Sequence, residues 1–162
     1  NAILFHMSPQ EGYEYGIVDE PGLPMLEEAL EKYPGLKFIG HSQPFWHESV
    51  RMRKPDLKSR MEWGRGPVRE GGRLVCLMRN YKNLYADLSA NSGGCAIMRD
   101  EKFGLQFLEE FQDRLMFGTD MVNTDMVFPL GEWLDRQYQE GKLSAQAYRK
   151  ICFENAKKIF QL

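Results

Sequence analysis

Four short apolar runs, each followed by a segment with helical periodicity, constrain the fold of this chain more than any other feature. The runs lie at Ala2–Phe5, Leu36–Ile39, Leu84–Leu88 and Leu115–Phe117. Their midpoints are about 30 to 50 residues apart, which is the size of successive strand–helix units. This alternation predicts an α/β fold whose parallel strands are joined by right-handed crossovers.

The segments between and after these runs repeat apolar residues at helical spacing. Leu23, Leu26 and Leu30 recur in the first segment, and the Pro-Gly pair that follows ends the predicted helix. Similar patterns predict helices within residues 71–83, 101–114, 129–142 and 144–160. Ser144 is the expected N-cap of the last one, since serine commonly caps helices.

Composition and charge exclude several classes of protein. The 162 residues are 43% hydrophobic with a formal net charge of −2, which fits one globular domain without a nucleic-acid or membrane-surface partner. No apolar run reaches the roughly 18 residues of a membrane span, and no signal peptide is visible. The scattered Cys76, Cys95 and Cys152 indicate reduced thiols and a cytoplasmic location. The chain lacks an initial Met, so we expect it to be a piece of a longer protein.

Histidine, serine and acidic residues occur where the predicted strands end. They are His6, His41, Asp87 with Ser89, and Asp120. In parallel α/β folds, ligands bind outside the carboxyl ends of the strands. Imidazole and carboxylate groups together suit Zn²⁺ or a similar divalent ion, and they also suit proton transfer. Each residue alone could simply cap a helix, but four strand ends with one chemistry favour a functional site.

The order of these motifs resembles the amidohydrolase superfamily. His6 is followed by "FIGHSQPFW", then "NLYADLSANSG", then "RLMFGTD", and the chain closes with "ICFENAKKIF". More narrowly, the set is similar to the amidohydrolase-2 branch, which contains metal-dependent hydrolases and aminocarboxymuconate-semialdehyde-type decarboxylases. The resemblance extends from Ile3 to Phe160.

The resemblance implies a fold and a set of residue roles. The fold would be a (β/α)₈ TIM barrel, and residues 1–162 would form its C-terminal half with strands five to eight. His6 would be a metal ligand after the fifth strand. His41 would contact the substrate or the attacking water after the sixth strand. Asp120, after the eighth strand, would bind the metal and act as general base. The implied cofactor is a divalent metal ion, and Zn²⁺ is our expectation.

One departure from the family pattern concerns the metal. The family opens its barrel with a His-x-His pair after the first strand, and this sequence has none, while His47 falls at a predicted helix start. A typical barrel needs about 250 residues, so we expect an N-terminal half to be missing. We therefore expect the isolated chain to bind metal weakly or not at all and to be inactive. Open strand edges further predict pairing with the missing half or self-association.

Three residues are candidates for substrate contact. Trp46 could line a pocket or belong to the core. Ser89 and Asn91 lie in "SANSGG", which we predict to be a polar loop that either cradles substrate or forms a plain turn. Residues 51–72 are rich in Arg and Lys. This segment is either a solvated insertion with turns at its glycines or a lid whose arginines meet an anionic substrate.

These features support three hypotheses about function. The first is a metal-dependent hydrolase that acts on a small C–N or C–O substrate through a metal-activated water. The second is a non-oxidative decarboxylase of the same branch, and the third is a non-catalytic half barrel that serves binding or assembly. The sequence contains no GxGxxG or GxxxxGK[ST] motif and no GxSxG motif. Nucleotide binding and serine hydrolysis are therefore disfavoured.

Overall fold

A computed structural model describes residues 1–13, 15–51 and 57–162. In this part of the chain the strands form one parallel sheet in the order β2-β1-β3-β4-β5. The strands are β1 (Ala2–Ser8), β2 (Ile17–Val18), β3 (Lys37–His41), β4 (Leu84–Asp87) and β5 (Leu115–Met116). A parallel sheet with intervening helices is the α/β arrangement of a partial TIM barrel, so the predicted fold class is confirmed.

The helices include those that the periodic segments of the sequence predict. They are α1 (Pro24–Lys32), α2 (Gln43–His47), α3 (Leu57–Met61), α4 (Arg73–Asn80), α5 (Ala90–Met98), α6 (Glu101–Glu110), α7 (Pro129–Gln139), α8 (Ala145–Arg149) and α9 (Asn155–Phe160). A π-helical turn, Lys150–Glu154, joins α8 to α9. Across the described residues, no helix is both long and apolar enough to cross a membrane.

The two faces of the sheet have different surroundings, because side chains alternate along each strand. Phe5, Phe38 and Ala86 belong to the buried core that the sheet forms with the helices. Leu4 and His6 point to the opposite face of β1, and Leu4 is 58% exposed. The helix-covered face therefore stabilises the fold, while the other face and its carboxyl edge hold the polar strand-end residues.

The C-terminal helical segment is fixed to the end of β5 by specific hydrogen bonds. Ser144 accepts a hydrogen bond from the backbone N–H of Ala147 at 3.1 Å, which confirms the predicted N-cap. The buried Asn155 donates through Nδ2 to the carbonyl oxygens of Gln112 and Leu115 at 2.6 and 2.8 Å. Asn155 therefore holds the last strand against the final helix.

Candidate active site

The carboxyl ends of the strands bring the predicted residues to one edge of the sheet. His41 is the last residue of β3, Asp87 is the last residue of β4, and Asp120 lies four residues beyond β5. The register of β1 against β3 places His6 directly opposite His41. Residues that are more than 100 positions apart at the extremes thus lie together, because parallel strands end at the same edge.

His41 lies between two carboxylates. Its Nδ1 is 2.9 Å from Oδ2 of Asp87, which is a hydrogen bond, and its Nε2 is 3.8 Å from Oδ2 of Asp120. The second separation is longer than a hydrogen bond, so the two groups lie close to each other without being joined. The His41 ring is mostly buried. Since the Asp87 carboxylate accepts, it favours the proton on Nδ1 and leaves Nε2 for other partners.

Asp87 is held rigidly by its neighbours. Its Oδ1 accepts from the backbone N–H of Ser89 at 2.9 Å, and its Oδ2 accepts from the Ser89 hydroxyl as well as from His41. The backbone carbonyl of Asp87 accepts from Nε1 of Trp46 at 3.1 Å. Ser89 Oγ also lies 3.2 Å from Nδ1 of His41. Both Ser89 and Trp46, predicted to contact substrate, are therefore placed as supports of the Asp87–His41 pair.

Asp120 reaches the site from a loop that crosses the end of β4. Its φ of 55° lies in the left-handed region, which aspartate tolerates better than most residues. The carbonyl of Thr119 accepts from the N–H of Ala90 at 3.2 Å. A Cβ on Gly118 would lie 3.2 Å from Oδ1 of Asp87, so glycine permits this close crossing. The Asp120 side chain is 52% exposed and faces the open side of the site.

His6 lies inside β1, although we predicted the strand to end before it. The strand continues to Ser8 because Met7 and Ser8 pair with the two residues of β2. Two residues give no periodic pattern, so β2 could not be predicted. The His6 ring lies 5.3 Å from the ring of His41 and 4.4 Å from that of Tyr15, measured between centroids. His6 is thus adjacent to the imidazole of His41 and covered on one side by an aromatic ring.

Ser42 ties the ends of β1 and β3 together. Its hydroxyl donates to the carbonyl of Met7 at 2.8 Å and accepts from the N–H of the same residue at 3.0 Å. The buried Ser42 has a φ of 91°, a strained conformation for a residue other than glycine. These two bonds fix the position of His41 relative to His6. A serine next to a strand-end histidine is the one feature of the sequence that points to this role.

The predicted loop at "SANSGG" is wrong: residues from Ala90 onward form α5, with Ser89 immediately before it. The two glycines suggested flexibility, but Gly93 instead permits close packing. A Cβ on Gly93 would lie 2.6 Å from the backbone of Leu88, at the end of β4. Asn91 is the second residue of this helix and is partly buried. Its predicted contact with substrate stays a prediction.

Trp46 is a core residue that also borders a cavity. It is 3% exposed and makes edge-to-face contacts with Phe45 and Phe107. It also lines the large cavity described below. The two alternatives drawn from the sequence, core or pocket wall, therefore both apply. Of the basic segment 51–72, residues 52–56 lie outside the described part of the chain.

The metal-binding residues predicted from the sequence, His6 and Asp120, lie at the same edge of the sheet. Across residues 1–13, 15–51 and 57–162, however, no group of three or more His, Cys, Asp or Glu side chains is arranged to hold a metal ion. Catalytic zinc sites use three protein ligands. The described residues alone therefore do not fit a complete metal site.

A parallel sheet with histidine and carboxylate side chains at its carboxyl edge is the arrangement of α/β proteins that bind ligands where the strands end. A model of the amidohydrolase family matches residues 3–162, so the chain belongs to the amidohydrolase superfamily, in its amidohydrolase-2 branch. This superfamily contains metal-dependent hydrolases and lyases, and its members generally use divalent metals. No curated protein and no solved structure gives a significant match.

Proposed function

We propose that this chain takes part in the hydrolysis of a small substrate at a C–N or C–O bond, with His41 and Asp120 exchanging protons with the reacting groups. The row Asp87–His41–Asp120 carries the proposal, because it places one imidazole between two carboxylates at the carboxyl edge of the sheet. General acid–base catalysis needs such groups within reach of one reacting atom. Family membership supports the same reaction class.

His41 is positioned to act through Nε2. Its Nδ1 is engaged by Asp87, so ring orientation and tautomer are set before substrate arrives. When Nε2 carries a proton, it can donate to a carbonyl oxygen or to a leaving group. When Nε2 is bare, it can accept one.

In this proposal Asp120 acts as the general base. Its carboxylate is half exposed and lies 3.8 Å from Nε2 of His41, too far for a direct hydrogen bond. Both atoms can therefore bond to a third group, such as a water that attacks the substrate. In this arrangement Asp120 receives the proton of the water and His41 stabilises charge on the substrate.

For the cofactor we propose Zn²⁺, with His6 and Asp120 as the ligands that this chain offers. Imidazole nitrogen and carboxylate oxygen are both ordinary zinc ligands. A bound divalent ion would supply an activated water, since it lowers the pKa of that water to about 7. Because the described residues lack a third ligand, the further ligands would have to come from elsewhere.

The test is the variant Asp120→Asn in the intact enzyme. Loss of the general base should lower turnover by roughly 10²- to 10⁴-fold, while circular dichroism and the melting temperature stay nearly unchanged. Retained turnover would refute the role of Asp120. Mass spectrometry of the product then separates the two reactions of the branch: gain of water indicates hydrolysis, and loss of CO₂ indicates a decarboxylase.

We also propose that further strands, from another barrel half or a second copy, cover the exposed face of the sheet. Leu4 lies on that face and is 58% exposed, and Ile3 and Ile17, near the edge that β1 and β2 form, are also about half exposed. Exposed apolar side chains on an edge favour association. Light scattering of the isolated chain should show oligomers, and a monodisperse monomer would contradict this.

The three cysteines, none in a disulfide, support a cytoplasmic location.

A further inference from the structure

A cavity of about 730 Å³ lies beside the candidate active site. Described residues of α2, of α5 and of the segment from 59 to 69 line it. His41 and Asp120 are not among these lining residues, although Trp46 contacts both the cavity and the backbone of Asp87. The volume is in the range of small-molecule sites. The cavity is therefore a separate feature that the proposed acid–base pair does not explain.

The outer wall of this cavity is built by specific bonds. Arg99, at the end of α5, donates through Nε to the carbonyl of Gly66 at 2.8 Å and through Nη2 to the carbonyl of Arg65. The N–H of Val68 donates to Oδ2 of Asp100 at 2.9 Å. A side chain on Gly64 would collide with the Arg99 guanidinium. The segment is thus fixed against the end of α5.

The mouth of the cavity is strongly positive. Arg51, Arg65 and Arg69 are exposed there, and the N–H of Arg51 donates to the carbonyl of Arg69 at 3.1 Å, which keeps those two residues adjacent. No described carboxylate lies within ion-pair distance of any of the three guanidinium groups. Glu62 is the one acidic residue among the described lining. In a chain with a net charge of −2, this concentration of positive charge favours an anionic ligand.

The floor of the cavity combines apolar surface with one unsatisfied hydroxyl. Trp46, Val50 and Ala96 are buried and line it, and the half-exposed Trp63 lies in the wall. Ser92 is only 5% exposed, and its Oγ has no hydrogen-bond partner within the described residues. A buried hydroxyl without a partner is unfavourable. A ligand with a polar atom at this depth would satisfy it.

We propose that this cavity binds a small aromatic carboxylate. Its carboxylate lies between the guanidinium groups of Arg51 and Arg69, its ring packs on Trp46, and a polar group at the far end bonds to Ser92. Guanidinium pairs with carboxylate through two parallel hydrogen bonds, and indole offers a flat surface. This inference rests on the cavity alone and does not depend on the proposed hydrolysis.

Three probes test the ligand chemistry by isothermal titration calorimetry on the intact protein. We expect 4-hydroxybenzoate to bind with a dissociation constant of about 1 mM or lower. Benzoate lacks the far hydroxyl and should bind about threefold to tenfold more weakly. The uncharged 4-hydroxybenzamide should bind at least tenfold more weakly. Equal affinity for the acid and the amide, or no binding by any probe, would overturn the proposal.

Variants locate the binding in the cavity. Arg51→Gln and Arg69→Gln should each weaken the binding of 4-hydroxybenzoate about threefold to tenfold. The difference from the unaltered protein should be smaller at high salt. Glu62→Gln should strengthen binding, because it removes the acidic residue of the lining. Arg136→Gln removes the same charge from exposed α7 surface outside the cavity and should have no effect. If the cavity variants behave like Arg136→Gln, the anion binds elsewhere and the proposal is wrong.

Ser92→Ala separates a ligand contact from a structural role. The hydroxyl has no described protein partner, so its removal should leave the melting temperature unchanged or slightly raised. Binding of 4-hydroxybenzoate should fall to the level of benzoate, and binding of benzoate itself should not change. An unchanged preference for 4-hydroxybenzoate over benzoate would refute the assigned contact.

Discussion

Two adjacent glycines of α5 should respond in opposite directions to the same substitution. At Gly93, a Cβ would lie 2.6 Å from the backbone of Leu88, which cannot swing away as a flexible side chain could. At Gly94, a Cβ would meet only the Leu130 Cβ and the Met98 Cε, both at 3.5 Å, an ordinary contact distance. Gly93→Ala and Gly94→Ala therefore form a matched pair that tests how α5 packs on the end of β4.

The expected magnitudes follow from these distances. Alanine within a helix is favoured over glycine by roughly 0.5–1 kcal/mol, so Gly94→Ala should stabilise by about that amount. Gly93→Ala gains the same propensity but forces α5 and the Leu88 backbone apart. Such overpacking typically costs about 1–3 kcal/mol, which leaves a net loss of about 0–2.5 kcal/mol, or roughly 1 kcal/mol at the middle of both ranges. In a chain of this size, 1 kcal/mol corresponds to roughly 2–4 °C in melting temperature.

Urea unfolding of the intact protein, followed by circular dichroism, measures both changes. Activity gives a second reading, because a shift of Leu88 also moves Ser89 and Asp87, which hold His41. We expect Gly93→Ala to lower turnover and Gly94→Ala to leave it unchanged. If both substitutions were neutral or both stabilising, the segment would not be a helix packed against β4, and the reasoning would be refuted.

Two further predictions concern carboxylates. Asp87→Asn should lower turnover about a hundredfold, because an amide does not hold the His41 ring in the tautomer that a carboxylate favours, and Asp87→Glu should restore part of the activity. Asp100 has its pKa held below the ordinary value of 3.8 by the N–H groups of Val68 and Phe103, so its stabilising contribution is complete above that value and is lost as pH falls through the lowered pKa. The free energy of unfolding of Asp100→Asn should therefore be about 0.5–1 kcal/mol lower near neutral pH, and the variant should lose less stability in acid below about pH 4. Urea midpoints measured at several pH values test this. An acid sensitivity equal to that of the unaltered protein would contradict it.

The main strands and the long helices were predictable because their patterns are local. An apolar run before a polar strand end predicts a buried parallel strand, and three leucines at helical spacing predict α1 with its buried Leu26 and Leu30. Ser144 was recognised as an N-cap for the same reason, since the cap bonds to a residue three positions away. Where the interaction is local, the sequence contains both partners side by side.

The glycines of α5 were misread because their role depends on a distant surface. Gly93 lies in a segment of small polar residues that resembles a loop, and only its closeness to the end of β4 explains why glycine is needed. The extension of β1 beyond His6 depends likewise on pairing with the two residues of β2. Neither contact leaves a periodic pattern in the sequence.

The sequence by itself determined that His6, His41, Asp87 and Asp120 would lie at one edge of a parallel sheet, because each lies in or just after an apolar run and parallel strands end together. Tertiary structure decided what these residues do to one another. The 2.9 Å bond from His41 to Asp87, and the 3.8 Å separation from Asp120, depend on side-chain rotamers and on loops packed across the sheet edge. The cavity beside Trp46 arises in the same way, from hydrogen bonds between side chains and backbone groups of segments more than 30 residues apart. Strand position is a local property of the chain, whereas distances between side chains are set only when the separate elements pack.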